Sequence, residues 1–487
     1  MVYISRIRQI GRHCLARGLS PSSKGSNSFR PGWRGLVLLS ALTVTLPALA
    51  QQKTGPGPMG EDALTWHGIT LYGVVDVGLQ EETHGAPFSD YRPAASGDIV
   101  QKNSRQSVFG VTPSNMGQSR VGLQGLEPLD GDWSAVFQVE TFFNPQSGEI
   151  ADSLKSLAVN NGQTTATSTT NQDGSSAGQA FQTAFVGVSS KSLGTLTFGR
   201  QLTLLSEGTI KYDPNYDATA FGLLGASGTY AGGGSSEDKR LDSMLKYAVS
   251  FDDIAHVGAI FKFNNATGGA NTAMQFNVGA GFAGASIDAY YSKVNDAISA
   301  TSLSASQVTG LAKLGYSATN SLSATVSDNT TYAIMGAYKL DVVKFLAGYE
   351  HIKFANPNTP LSAGFTDIGG YNLAYVSDTA YDVDKTLGMF WVGVRYTVIP
   401  NLDVTAAYYA SYQNAYGTGK EAGCNTSEYS ACSGNTQAFS IDADYYFNRH
   451  FDAYLGVMYS GVHNGVASGY LFDTTNLDPT IGVRYKF

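Results

Sequence analysis

Two stretches of the sequence contain residue types whose spacing could support chemistry. Gly279–Gly284 has the G-x-G-x-x-G spacing of a phosphate-binding turn, but it lies within a predicted strand and its turn. Phosphate binding by this motif requires the start of a helix at that point. Asp213–Asp217 begins like a calcium-binding loop, yet Ala218 replaces the required glycine and Leu224 the bidentate glutamate. We therefore predict neither a dinucleotide site nor a metal site here.

The cysteines and histidines are the other residues that could bind a metal or act in catalysis. The histidines are scattered without the spacing of metal ligands, and the sequence contains no G-x-S-x-G nucleophile elbow. We therefore expect no cofactor and no enzymatic activity. Cys424 and Cys432 lie in one predicted loop, and export through an oxidising compartment favours a local disulfide between them. A metal-binding pair or two free thiols are the alternatives.

The first 50 residues have the organisation of a secretory signal peptide. They contain seven Lys or Arg residues and no acidic residue, and they end in an apolar run at Gly35–Ala50. That run is shorter than the roughly 20 residues of a membrane-spanning helix. We predict a signal peptide at 1–50 that is removed. An N-terminal segment follows at 51–67, and the folded domain extends over 68–487.

Removal of the signal peptide makes the chain strongly acidic. The sequence has 31 basic and 39 acidic residues. Without the seven basic residues of the signal peptide, 24 basic residues face 39 acidic ones, a net charge of −15. Such acidity argues against nucleic acid as a partner, because nucleic-acid binding requires a basic surface.

The end of the sequence shows the clearest structural pattern. Apolar residues occupy every second position of Ile481–Phe487, and polar residues or glycine occupy the positions between them. This pattern predicts a strand with one apolar and one polar face. A similar segment, Ile69–Leu79, is the first candidate strand of the mature chain. We predict that these two segments pair and close a barrel.

Alternating segments recur about 16 times, and short turns alternate with longer loops between them. The predicted strands are 70–79, 119–127, 133–143, 181–189, 194–201, 241–251, 255–263, 273–283, 285–294, 331–340, 342–354, 386–398, 402–413, 437–447, 451–463 and 478–487. Alternation of short turns with long loops is typical of outer-membrane barrels. Tyrosines near the strand ends would form the aromatic girdles of such a barrel.

We therefore predict an all-β fold, a 16-stranded antiparallel transmembrane β-barrel. A sheet that spans hydrocarbon must close, because hydrocarbon offers no partner to backbone N–H and C=O groups. At about 16 strands the interior is too wide for side chains to fill, which leaves an aqueous channel. A soluble secreted β-protein, such as a lectin or adhesin, is the alternative from another class.

Several of these strands resemble the general porins of Gram-negative proteobacteria, of the neisserial and burkholderial type. The resemblance extends from about residue 66 to the end, and its order and spacing are more specific than any one motif. The segments that carry it are Thr70–Gly78, Ser119–Gly125, Trp133–Glu140, Ala184–Val188, Gly194–Gln201, Arg240–Tyr247 and Gly482–Phe487.

The resemblance implies a homotrimeric outer-membrane protein that passes small hydrophilic solutes and ions by passive diffusion. It also implies export through the periplasm and contact with outer-membrane lipid and lipopolysaccharide. The family's third long loop folds into the lumen, and the corresponding stretch here is about 202–239. The charges expected to face each other across the resulting constriction are the basic residues Arg120, Arg240, Lys246 and Arg484 and the loop acids Glu207, Asp213 and Asp217.

Two positions depart from the family pattern. Gln182 stands where the family often has an arginine, so one member of the basic cluster is missing. Arg200 shares its strand parity with Leu196 and Phe198, so regular alternation directs it outward unless a bulge re-aims it or it lies at the interface. Strand parity also predicts that Leu241 faces outward. The alternative function is a substrate-specific outer-membrane channel for sugars or organic acids.

Overall fold

The structure is a computed structural model. It describes residues 64–85, 100, 107–146, 148, 150, 181–223, 240–252, 254–263, 272–303, 305–315, 322–358, 367–368, 371–419, 423, 430–470 and 472–487. The predicted signal peptide at 1–50, the start of the N-terminal segment, the second half of the predicted 202–239 loop, and Cys424 lie outside these residues.

Strands dominate the described part of the chain. They are β1 Leu64–Trp66, β2 Ile69–Glu82, β3 Val108–Pro113, β4 Arg120–Pro128, β5 Trp133–Phe142, β6 Thr183–Ser190, β7 Gly194–Leu202, β8 Arg240–Phe251, β9 Ala255–Lys262, β10 Ala273–Phe282, β11 Ala285–Ser302, β12 Leu322–Leu340, β13 Val343–Ala355, β14 Asp367–Ile368, β15 Tyr371–Ser377, β16 Lys385–Ile399, β17 Leu402–Gln413, β18 Gly434–Tyr446, β19 Phe451–Asn464 and β20 Thr475–Lys486.

The helices in the described part of the chain are short. They are α1 Leu204–Tyr212, α2 Ala305–Lys313 and one 3₁₀ turn, Gly465–Ala467. Among the described residues, no helix combines the length and the apolar character needed to cross a membrane.

Sixteen of the described strands form a closed antiparallel ring. Each strand pairs with its neighbour along the chain, and β2 pairs with β20 through Val77 opposite Val483. The first and last strands therefore meet, which confirms the predicted closure and the 16-stranded antiparallel barrel. The ring consists of β2, β4 to β13, and β16 to β20.

The two faces of the ring are the reverse of those of a water-soluble sheet. Along β20, Ile481 and Val483 are 56% and 46% exposed, whereas Arg484 and Lys486 are buried at 6% and 3%. The exposed and buried positions alternate without interruption over the whole strand. Apolar side chains thus point outward and charged ones inward, as expected of a barrel whose outer face contacts lipid.

The prediction missed two features of the ring. An additional strand, β3, precedes the second ring strand β4. Both β3 and β4 pair with β2, and the break at 114–119 separates them. Asp76 holds this break, since its Oδ2 accepts hydrogen bonds from the backbone N–H groups of Met116 and Gly117 at 2.7 and 3.0 Å. Strands β11 and β12 are longer than predicted, because their Ser/Ala/Thr-rich ends pair with each other.

The outward orientation predicted for Leu241 is wrong. Leu241 is buried in the same apolar cluster as Met244. Ser243, between them, has a positive φ of 50°, and the β7–β8 register shifts at the neighbouring bulge. Regular alternation therefore fails over the first residues of β8 and resumes beyond them.

Substitution of an outer-face residue by lysine tests whether that face of the barrel contacts lipid. Ile334 lies in the middle of β12 with its side chain exposed beside the ring. We expect Ile334→Lys to lower the free energy of unfolding in lipid vesicles by about 2–4 kcal/mol, because the charge must enter hydrocarbon. Urea titration of vesicle-inserted protein measures this loss, and Ile334→Val is the control. A change below 1 kcal/mol for the lysine variant would contradict an outward, lipid-facing Ile334.

Candidate functional site

Residues 203–223, here called the loop segment, connect β7 toward β8 and begin with α1. Thr203 caps the helix, since its side-chain oxygen accepts a hydrogen bond from the N–H of Ser206 at 3.1 Å. The helix ends at Tyr212, and Pro214 cannot continue it. One side of the helix is apolar and buried, with Leu204, Leu205 and Tyr212 among its members. The sequence thus builds a short amphipathic helix that needs an apolar partner.

Barrel residues supply that partner. Leu204, Leu205, Tyr212 and Leu223 belong to one buried cluster with side chains of the ring strands, which include Met335, Ile352, Met389, Trp391, Tyr409 and Met458. The indole Nε1–H of Trp391 also donates to the carbonyl of Tyr212 at 3.0 Å. The apolar cluster and this hydrogen bond together fix α1 against the barrel strands.

The turn that follows the helix is organised by Asp213. Its carboxylate accepts hydrogen bonds from the hydroxyl of Tyr409 at 2.6 Å and from the N–H groups of Asn215 and Asp217 at 3.2 and 2.6 Å. These bonds hold Tyr216 and Asp217 at positive φ angles of 54° and 62°. The stretch whose sequence resembles the start of a calcium loop is therefore a turn built around a carboxylate that accepts three hydrogen bonds.

The loop segment continues to the opposite part of the ring. Asn215 donates to the hydroxyl of Ser440 on β18 at 3.0 Å. Thr219 donates to the carbonyl of Ser114 at 2.7 Å, in the break between β3 and β4. Phe221 contacts the ring of Tyr454 on β19 edge to face. Side chains on many strands and in the β3–β4 break thus hold the segment.

The ionisation of Asp213 gives a prediction for pH dependence. Burial raises the pKa of Asp213 to about 6, whereas an ordinary aspartate has a pKa near 4. Between pH 4 and pH 6, Asp213 is protonated in the folded protein and ionised in the unfolded chain. Protonation of Asp213 therefore stabilises the folded protein fully below about pH 4, and this stabilisation is lost as the pH rises through 6. We expect this one group to lower the free energy of unfolding by up to about 3 kcal/mol between pH 4 and 7.

Denaturant unfolding of the detergent-solubilised protein at pH 4, 5, 6 and 7 measures this effect. The Asp213→Asn variant cannot ionise at this position, so its unfolding free energy should fall less across the series. Parallel pH profiles for the wild type and Asp213→Asn would contradict the assigned ionisation.

A charged wall lies on β4 to β8 and consists of Arg120, Glu140 and Arg240. The Nε atom of Arg120 and the Nη2 atom of Arg240 each lie 3.4 Å from a carboxylate oxygen of Glu140. The hydroxyl of Tyr72 also donates to Glu140 at 3.1 Å. All three charged residues are buried. The structure thus brings the two predicted arginines together around one carboxylate.

Arg200 lies on β7, the strand that pairs with β8 beside Arg240. The β7–β8 register shifts between Gly199 and Gln201, and Gly199 adopts a φ of 128°, which favours glycine. The guanidinium of Arg200 acts electrostatically on that of Arg240. Gln182, at the position where an arginine is absent, is buried beside them and donates its N–H to the carbonyl of Glu140 at 2.8 Å.

The loop acids Asp217 and Glu207 have different basic partners. Asp217 acts electrostatically on Arg240 of the charged wall. Glu207 instead forms an ion pair with Lys246, whose ammonium also donates to the carbonyl of Leu202 at 3.1 Å. These contacts tie the start of the loop segment to β8.

Arg484 belongs to a buried group on β18 to β20. Its guanidinium bonds Asp452 at 2.8 Å and Asp444 at 3.0 Å. Lys486 pairs with the same Asp452 at 2.7 Å. Arg484 is therefore held by two carboxylates, and only β2 lies between its strand and that of Arg120.

Comparison with known proteins gives the family of this chain. A family model described as Gram-negative porin matches residues 36–383, which is more than half of the chain. The chain belongs to the Gram-negative porin family. Family membership and a closed barrel with an apolar outer face establish this porin as a protein of the outer membrane.

Relatives and solved structures agree with this assignment. An outer membrane porin protein of Bordetella pertussis is 30% identical over 180 residues, which are 37% of this chain and 38% of that protein. The match therefore spans well under half of that relative's length. The barrel is also similar to an anion-selective porin from Comamonas acidovorans, with a TM-score of 0.56 and 16% identity, over 86% of this chain and 99% of that one.

A third similar structure is a loop L8 deletion mutant of OmpT, an outer membrane protein of Vibrio cholerae. It gives a TM-score of 0.53 at 14% identity, over 86% of this chain and 99% of that one. At these identities, the two solved structures support the barrel fold of this porin.

Sequence reasoning missed several residues of the site. Glu140 lies inside a recognised strand motif, but only the register of β4 and β5 places it beside Arg120. Trp391 lies within a predicted strand, yet its bond to Tyr212 depends on the path of the loop segment. Cys432, one of the two predicted disulfide partners, is buried and disulfide-bonded. Its predicted partner Cys424 lies outside the described residues.

Proposed function

We propose that this porin forms a water-filled outer-membrane channel for passive diffusion of small hydrophilic solutes and ions. The observation that carries the proposal is the closed ring of sixteen strands with an apolar outer face and a charged inner face. Side chains alone cannot fill a ring of about this size. A polar interior and an apolar exterior suit conduction of water and ions across lipid.

The loop segment is the proposed constriction, folded into the lumen. Its support is the set of contacts with inward-facing side chains from β10 through β19, including Trp391, Tyr409 and Ser440. Solutes then pass between the loop segment and the charged wall. This arrangement gives the loop segment a fixed position, since it is held at the helix by an apolar cluster and at the turn by Asp213.

The charges at the constriction take distinct proposed roles. Arg120, Arg200 and Arg240 face Asp217 of the loop segment and set a field across the path, which sorts solutes by charge and dipole. Glu140 holds two of these arginines in place. Lys246, Glu207 and Asp213 position the loop segment, and Arg484 belongs to the buried group on β18 to β20.

The remaining proposals concern processing and assembly. The segment 1–50 is removed as a signal peptide during export through the periplasm, Cys424 and Cys432 form a local disulfide, and three copies associate in a membrane containing lipopolysaccharide. The protein has no enzymatic role. The exposed apolar belt supports residence in lipid, and the buried, disulfide-bonded Cys432 supports export to an oxidising compartment.

Planar-bilayer recording of the purified protein tests this function. Discrete current steps that scale with salt concentration support a water-filled pore. Absence of current, with the protein shown to be inserted, would reject the proposed channel.

A further inference from the structure

Three cations lie side by side on adjacent strands, apart from the charged wall. Lys339 on β12 pairs in register with Lys344 on β13, and Lys344 pairs with Arg395 on β16. Adjacent strands are about 4.8 Å apart, so the three positions span roughly 10 Å. We call Lys339, Lys344 and Arg395 the basic row.

The basic row points into the barrel. On the same three strands, the neighbouring residues Tyr338, Phe345 and Tyr396 are exposed on the apolar outer face. Because side chains alternate between the faces of a strand, the three cations lie on the inner face. Lys339 is exposed, Lys344 is half-buried, and Arg395 is buried. The row thus extends from an accessible lysine to a buried guanidinium.

This placement is costly without a negative partner. Like charges directly opposite each other in a sheet destabilise it. In the described part of the chain, Lys339 and Lys344 make no side-chain hydrogen bond or ion pair. The Nη1 group of Arg395 is buried without a hydrogen-bond partner, although its Nη2 donates to the carbonyl of Pro214.

Neighbouring groups add to the site without neutralising it. The ring of Tyr216, from the loop segment, lies 3.4 Å from Arg395 and 5.7 Å from the ammonium of Lys344. The nearby Asp288 is already bound by Lys211 and His256, both at 2.8 Å. Asp442 lies two strands beyond Arg395, across Thr405. Asp442, Asp403 and Asp213 act electrostatically on Arg395, so the excess positive charge of the basic row lies on its two lysines.

We propose that the basic row binds small oxyanions of the phosphate and carboxylate class, as a second anion site beside the turn of the loop segment. This inference rests on the proposed channel function and adds a site that is separate from the charged wall. The two lysines contact the anion from the lumen, and the guanidinium of Arg395 provides a fixed donor at the inner end. Tyr216 holds that guanidinium in place by stacking.

Inorganic phosphate is the probe for this site. Block of the chloride current is measured in planar bilayers as phosphate is added, for the wild type, Lys344→Gln and Lys339→Gln/Lys344→Gln. We expect the half-blocking phosphate concentration to rise about fivefold for the single variant and roughly twentyfold for the double variant. Both lysines lie on strands that keep their pairing, and trimer or barrel formation on gels confirms folding.

Two further variants locate the block. Lys191→Gln removes one charge in an exposed turn and should leave the phosphate block unchanged. If Lys191→Gln weakens the block equally, or if only Arg120→Gln/Arg240→Gln abolishes it, the basic row is not the site. Equal phosphate block in the wild type and the double lysine variant also overturns the inference while the channel function stands. Absence of any chloride current in the wild type overturns both.

Discussion

Replacing Arg120 and Arg240 together by glutamine is expected to shift the reversal potential toward that of the cation. Both guanidinium groups lie on the charged wall, where they attract anions and repel cations on the proposed path. One charge at about 4 Å contributes roughly 1 kcal/mol even in water. We therefore expect the cation-to-anion permeability ratio to rise on the order of tenfold. Reversal potentials across a potassium chloride gradient measure the ratio.

Glu140 determines how this experiment must be controlled. Removal of both arginines leaves its buried carboxylate without an ion-pair partner on the charged wall, and an unpaired buried charge can cost about 3–5 kcal/mol. The triple variant Arg120→Gln/Arg240→Gln/Glu140→Gln removes that problem and should still shift the ratio toward cations. Arg449→Gln, in an exposed turn, controls for net charge. An unchanged reversal potential in the triple variant would remove both arginines from ion selection.

Removal of the Trp391 side chain is expected to have the largest effect on conductance. The indole is fully buried between the barrel and the loop segment and bonds the carbonyl of Tyr212. Truncation of a buried tryptophan costs about 3–5 kcal/mol, and here the loss falls on the contact that fixes α1. We expect Trp391→Ala to release the loop segment and to increase single-channel conductance and current noise.

Trp133 offers a matched control, since it carries the same side chain at an exposed strand end. Trp133→Ala should leave the single-channel conductance unchanged. Trp391→Phe keeps most of the packing but not the hydrogen bond, so an intermediate conductance is expected. If Trp391→Ala conducts like the wild type and is shown to be folded, the loop segment does not limit the current.

The barrel itself could be predicted from sequence because its outer face must be apolar at every second residue. The alternation at Ile481–Phe487 and its match at Ile69–Leu79 follow directly from that requirement, and the closure between them is confirmed. Prediction failed where the alternation breaks. Leu241 turns inward beside Ser243, and β3 lies before a break that is held by the Asp76 carboxylate rather than by an apolar pattern.

The site was harder to predict because its contacts depend on register and on the path of the loop segment. The family resemblance pointed to Arg120 and Arg240, but their shared partner Glu140 follows from strand pairing. The proximity of Arg200 to Arg240 likewise follows from the pairing of β7 with β8. The basic row shows the same limit, since Lys339, Lys344 and Arg395 are distant in sequence and become neighbours only through pairing of β12, β13 and β16.

Single-channel recording of the wild-type protein in planar bilayers is the most direct test of a hydrated barrel narrowed by a fixed segment. We predict discrete, long-lived current steps whose size rises in proportion to potassium chloride concentration, as expected for diffusion through water. A membrane that contains the inserted protein but carries no steps, or steps that saturate at low salt, would contradict this account.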